Sequence, residues 1–179
     1  MSFRREIDKT KRLPSGMEKK GVPLGADPGW LYIEDRGAVY AAPLDVVWDF
    51  WARDEKFHPK AHRGEVRNFV DQKLSEVTTL ISYEKREGTE WRKLSCRMTI
   101  IPPAVRVQED LDGPYAGSTT VFLYTPKGSK TIVDVLTFRR SSEMTPKQIE
   151  SDTRRMFANA YREDLPWFRK YVRSRKGKR

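Results

Sequence analysis

The sequence predicts an α+β fold: a curved antiparallel sheet of about six to seven strands wrapped on a long C-terminal helix, with two short helices after the first strand. Three observations carry this. A β-rich segment at residues 30–41 passes directly into a short helical stretch with one apolar face. Residues 65–140 then keep a period of two with no helical interruption. From residue 145 the period becomes helical and stays so almost to the end of the chain. The short connections favour antiparallel neighbours, because parallel strands need a crossover of about a dozen residues or more.

Each element has its own signal. Residues 30–41 are rich in β-formers, with Gly37 expected as a bulge or bend. Ala42-Pro43-Leu44-Asp45 starts a helix, since proline suits the first turn and an acid there meets the positive end of the helix dipole. Val46, Val47, Phe50 and Trp51 form its apolar face, and a second short helix is expected over 54–61, broken near Pro59. Strands follow at 65–71, 74–86 and 90–101, the second with Val77, Thr79, Ile81 and Tyr83 on one face and the third with Leu94, Cys96, Met98 and Ile100 together. Pro102-Pro103 ends the run, and Val105, Val107, Glu109 and Leu111 share one face of the next strand. Strands 119–125 and 131–140 are joined by a hairpin loop at 126–130. Thr145-Pro146-Lys147-Gln148 matches a capping box, opening a helix of roughly 28 residues, about 40 Å long. Ile149, Met156, Phe157, Ala160, Tyr161, Leu165, Phe168 and Val172 form its stripe, and Pro166 is expected to kink it.

The chain has 179 residues and a net charge of +10, which first suggests nucleic acid or an anionic membrane as partner. The charge is not evenly spread. Residues 1–21 carry a net +4, residues 169–179 a net +7, and the remainder a net −1. The reading is therefore a basic arm over 1–29, a folded domain over 30–173 and a basic tail over 174–179, with any nucleic-acid or anionic-membrane contact made through the ends. Cys96 is the single cysteine, which excludes an internal disulfide and a cysteine-based zinc site. The absence of a signal-like start and of a membrane-length apolar run makes the cytoplasm the expected location.

The strand ending Val39-Tyr40-Ala41-Ala42, followed by Pro43-Leu44-Asp45-Val46-Val47-Trp48-Asp49-Phe50, resembles the opening of the START-like, or polyketide cyclase/dehydrase, superfamily, whose fold is the helix-grip fold. The later strands and the helix from Thr145 extend the resemblance over about residues 30–173. The resemblance implies a cavity between a concave sheet and the long helix. It implies an apolar small-molecule partner such as a lipid or polyketide-like compound. It implies neither a universal catalytic residue nor a cofactor.

The expected ligand-binding residues are Trp48, Trp51, Phe57, His58, Tyr83, Met98, Phe122, Tyr124, Asp134, Phe157 and Tyr161. Asp134 stands in mid-strand, either as a polar anchor in the cavity or paired with Arg97 or Arg106 or facing water. His58 and His62 are spaced for two metal ligands on one helix face, but Pro59 and Lys60 oppose that and no third ligand has metal spacing, so no metal is expected. Cys96 reads as a small buried hydrophobe. No residue is assigned as catalytic. A cyclase, dehydratase or hydrolase on the same scaffold would have to draw its acid or base from Asp134, His58 or Tyr83.

Overall fold

The computed structural model describes residues 30–53 and 64–176. The strands are β1 (Leu31–Tyr40), β2 (Val66–Lys73), β3 (Thr78–Glu87), β4 (Glu90–Ile101), β5 (Val105–Asp110), β6 (Thr119–Lys127) and β7 (Lys130–Arg139). Helix α1 (Leu44–Trp48) follows β1 and runs into a π-helical turn, Asp49–Arg53. A 3-10 turn, Gly113–Tyr115, separates β5 from β6, and α2 (Pro146–Lys176) ends the fold. The strands form one seven-stranded antiparallel sheet in the order β1-β7-β6-β5-β4-β3-β2. The second short helix expected over 54–61 lies outside the described residues, as do the basic arm and the last three residues.

Gly37 is the bulge its sequence context predicts. It sits at φ +78°, and the β1–β7 register shifts between Asp35 and Ala38. The extra residue has a consequence for the core. Side chains alternate along a strand, so an odd-numbered and an even-numbered residue normally face opposite ways. The bulge breaks that alternation and lets Ile33 and Tyr40 both point inward, where both are buried. The Gly37 N–H donates to Asp134 Oδ1 at 2.7 Å, which pins the bulge to β7.

The start of α2 is a reciprocal capping box. Thr145 N–H donates to Gln148 Oε1 at 2.9 Å, and Gln148 N–H donates to Thr145 Oγ1 at 3.4 Å. The helix continues through Pro166 to Lys176, beyond the boundary at which a tail was expected. Arg175 holds its last turn: Nη2 donates to Asp49 Oδ2 at 2.7 Å, and its guanidinium lies 5.2 Å from the Tyr171 ring centre. A basic residue near a helix C-terminus also meets the negative end of the dipole.

The core sits under one half of the sheet. Tyr40, Val47, Trp48, Phe50, Tyr124, Val133 and Phe168 join β1, β6, β7, α1 with its π-helical turn and the C-terminal part of α2. Edge-to-face contacts such as Trp48–Tyr124 at 5.3 Å and Tyr40–Phe168 at 5.2 Å lock these rings. A second cluster of Ile33, Ile149 and Phe157 secures the N-terminal part of α2. Under β3 and β4 the packing stops. There Ile81, Tyr83, Leu94 and Met98 are only half-buried.

Candidate functional site

The unpacked half of the sheet bounds a cavity of about 890 Å³. That is within the ~300–1,000 Å³ usual for small-molecule sites. Alternate residues of β3, β4 and β5 make its wall, and residues 152–163 of α2 face them across it. Thr79, Ile81 and Tyr83 come from β3, and Leu94, Cys96, Met98 and Ile100 from β4, the grouping that strand periodicity predicts. An apolar strip therefore runs along the β3–β4 side of the sheet.

On β5, Val105 and Val107 share a face as the strand period predicts, and that face is the outer one. Arg106, Gln108 and Asp110 point into the cavity. The register decides this: Arg106 pairs with Ile100 and Asp110 with Cys96, and paired residues share a face. The site thus carries charge that strand periodicity alone does not place inside. The signal that could have found it is the alternation Arg106-x-Gln108-x-Asp110, once β4 is oriented.

Two cavity arginines are almost wholly buried, Arg106 at 5% exposure and Arg139 at 3%. Arg106 Nη1 donates to the Trp51 carbonyl at 3.0 Å, and its guanidinium lies 3.9 Å from the Phe122 ring centre. Arg139, on β7, lies 4.2 Å from the Tyr115 ring centre and sends Nη2 to the Met156 sulfur at 3.3 Å. Arg106 Nε and Arg139 Nε and Nη1 are buried without hydrogen-bond partners.

The acidic groups differ among themselves. Burial pushes the Asp110 carboxyl up, against the opposing pull of the Gln108 hydrogen bond and the Arg139 charge. Gln108 Nε2 donates to Asp110 Oδ1 at 2.9 Å. At Asp152 burial also acts upward, but hydrogen bonds from Tyr115 and Arg155 outweigh it and hold the carboxyl below its usual range. Tyr115 Oη donates to Asp152 Oδ2 at 2.6 Å, and burial together with that bond pushes the phenol up to about 12. Burial raises the Tyr83 phenol as well, with the Cys96 and Asp110 charges adding to it. Cys96 is buried and its thiol is pushed up to about 12 by burial, so it presents no thiolate at neutral pH.

The residues expected from sequence separate into groups. Trp51, Tyr83 and Met98 line the cavity. Trp48, Tyr124 and Phe157 instead belong to the packed core, because the aromatic clusters fill the space beneath their strands and helices. Phe122 faces inward beneath Arg106 and packs against that core. Tyr161 donates from Oη to the Val39 carbonyl at 3.3 Å and meets Tyr40 edge-on. Asp134 faces away from the cavity. Its neighbours Val133 and Val135 pack inward, and alternation turns Asp134 to the outer face, where it accepts from Gly37. It pairs with neither expected arginine: Arg97 bonds Glu109 at 2.5 Å, and Arg106 is inside. Phe57, His58 and His62 lie outside the described residues.

Fold and cavity together define a helix-grip protein, a curved sheet holding a C-terminal helix across a hollow interior. This is the fold of the START-like, polyketide cyclase/dehydrase superfamily. Solved structures bear out the likeness. The chain superposes on the di-domain aromatase/cyclase StfQ of the steffimycin biosynthetic pathway with a TM-score of 0.66 at 13% identity, covering 83% of this chain and 52% of that one. It thus spans about half of that di-domain protein. Norcoclaurine synthase from Thalictrum flavum, solved with dopamine and hydroxybenzaldehyde, gives a TM-score of 0.62 at 12% identity, covering 81% of this chain and 87% of that one. Ara h 8.0201 gives 0.64 at 8% identity, covering 78% and 98%. No protein-family profile and no curated protein matches the chain. At these identities the likeness establishes the fold alone. No helix among the described residues is long and apolar enough to cross a membrane.

Proposed function

We propose that the protein binds a small molecule with an apolar body in the cavity between β3, β4, β5 and α2, as a carrier or sensor of that molecule. The observation that carries this reading is the hollow itself. A sheet with packed cores at one side leaves about 890 Å³ beside a strip of Ile81, Leu94, Met98 and Ile100. Removing apolar ligand surface from water there contributes roughly 25 cal/mol per Å² buried. Trp51, Tyr83 and Met98 are the sequence-expected residues that would touch it. Aromatase/cyclases and a norcoclaurine synthase on the same fold lend the reading support by analogy. Native mass spectrometry of the gently purified full chain, with organic extraction, tests it. A retained small molecule, or thermal stabilisation by members of a lipid and polyketide panel, is the expected result. A chain that carries nothing and is stabilised by nothing in such a panel sinks the reading.

A second reading, an acid-base enzyme of cyclase or dehydratase type, is favoured by one observation: Asp110 faces the cavity with its carboxyl pushed up by burial. A buried carboxyl of this kind can hold and return a proton. Under this reading Asp110→Asn leaves ligand retention intact and abolishes turnover of a bound polyketide or aldehyde. Unchanged turnover in that variant removes Asp110 from the chemistry.

A further inference from the structure

Arg139 poses the sharpest unanswered question in the molecule. It is 3% exposed and lies at the edge of the cavity. Nε and Nη1 have no hydrogen-bond partner, and Nη2 points to a thioether, a weak acceptor. No carboxylate among the described residues is in ion-pair contact with it. Guanidinium stays charged at any physiological pH, and a buried charge without a partner is costly.

The surrounding groups do not remove that cost. Asp152 is bonded to the Tyr115 hydroxyl, whose ring lies over Arg139, and its oxygens are engaged by Tyr115 and Arg155. Asp110 feels the Arg139 charge, but its carboxylate bonds Gln108 and makes no ion-pair contact with the guanidinium. Tyr115 covers one face of the guanidinium at 4.2 Å. Ring stacking offsets part of the desolvation but leaves the in-plane donors open. Arg106 differs, because an oxygen, the Trp51 carbonyl, already takes one of its donors.

We infer that the ligand of this cavity is amphipathic and acidic, with a carboxylate that seats against the Arg139 guanidinium while its apolar body lies along Tyr83, Leu94 and Met98. The inference rests on the cavity-binding reading above and names the ligand class within it. A carboxylate suits the position because its two oxygens match the parallel donors of the guanidinium edge. The apolar strip and the charged edge belong to one continuous cavity, so one molecule can satisfy both.

The test uses 11-(dansylamino)undecanoic acid and its methyl ester, which share a fluorescent apolar body and differ in the carboxylate. The full chain is titrated with each at fixed ionic strength. The acid is expected to bind at least about tenfold more tightly than the ester, the scale of a charge-assisted hydrogen-bonded pair. Arg139→Met should lose the acid's advantage and keep ester binding, while melting at or above the wild-type temperature. Arg139→Lys should keep part of the advantage. Arg97→Gln makes the same charge change on the outer face and should leave the preference untouched, which excludes general attraction to a basic protein. Equal binding of acid and ester by the wild-type chain overturns the carboxylate anchor alone, whatever the variants do. A preference that persists in folded Arg139→Met overturns it too. Binding of neither probe overturns the cavity-binding reading, and the anchor with it.

Discussion

At Asp110, burial raises the carboxyl while Gln108 and Arg139 pull it down, and burial wins. A carboxyl raised in the folded state holds its proton more tightly there than in the unfolded chain. Its favourable contribution is complete below the unfolded pKa of about 3.9 and is lost as pH rises through the folded value. Asp110→Asn keeps the Oδ1 acceptor for Gln108 and removes the ionisation. The variant should therefore be more stable than wild type at pH 7, with the gap closing toward pH 4. Denaturant melts of both proteins at the two pH values measure this. A gap that widens on acidification would show that Asp110 is stabilised as an anion. At Asp134 the sequence leaves three places open, a cavity anchor, an arginine pair or water, because it stands among Ile132, Val133, Val135 and Leu136. Those neighbours cover both faces of β7, so hydrophobic surroundings in sequence do not say which way the carboxylate points.

Among the elements, α2 and the 3-10 turn position the cavity wall most directly. Thr145 and Gln148 satisfy each other's backbone donors at the helix start. Thr145→Ala should cost ~1 kcal/mol in denaturant unfolding, the usual scale of a lost cap. No loss would mean that water or a neighbour replaces the hydroxyl. The turn Gly113–Tyr115 carries Tyr115 to Arg139 and Pro114 to the cavity. Gly113 has φ +75°, and a Cβ there would collide with Leu94 Cδ2. Gly113→Ala should cost more than ~1 kcal/mol and displace Leu94 from the wall, so stability and probe affinity should fall together. A variant that loses only stability would uncouple the turn from the cavity. The short loops and the capping box were legible in sequence because both depend on neighbours within a few residues.

Taken whole, the molecule is asymmetric: the β1, β7 and β6 side is packed solid against α1 and α2, and the β3 and β4 side is hollow. Equivalent truncations should therefore have unequal effects. Tyr124→Ala empties a fully enclosed site against Trp48 and should cost ~3–5 kcal/mol of stability, on the scale of other buried aromatics. Met98→Ala enlarges a cavity that already exists and should cost less than ~2 kcal/mol, because the packing lost there is smaller. Its effect should appear in ligand affinity. Parallel unfolding and probe titrations of the two variants separate the roles. Comparable stability losses would mean that the β4 wall is as tightly packed as the core.

The chain's own order of periods, two from residue 65 and helical from residue 145, determined a sheet followed by a long helix, and the groupings Ile81 with Tyr83 and Leu94 with Met98. These are local properties: alternation and capping depend only on nearby residues. Tertiary structure alone decided what alternation leaves open, namely which of two faces is inside. It turned Arg106, Gln108 and Asp110 inward and Val105 and Val107 outward through the pairing of β5 with β4. It also sent Trp48 and Tyr124 into a core while leaving Tyr83 at a cavity, because filling or sparing a volume depends on contacts between elements far apart in the chain.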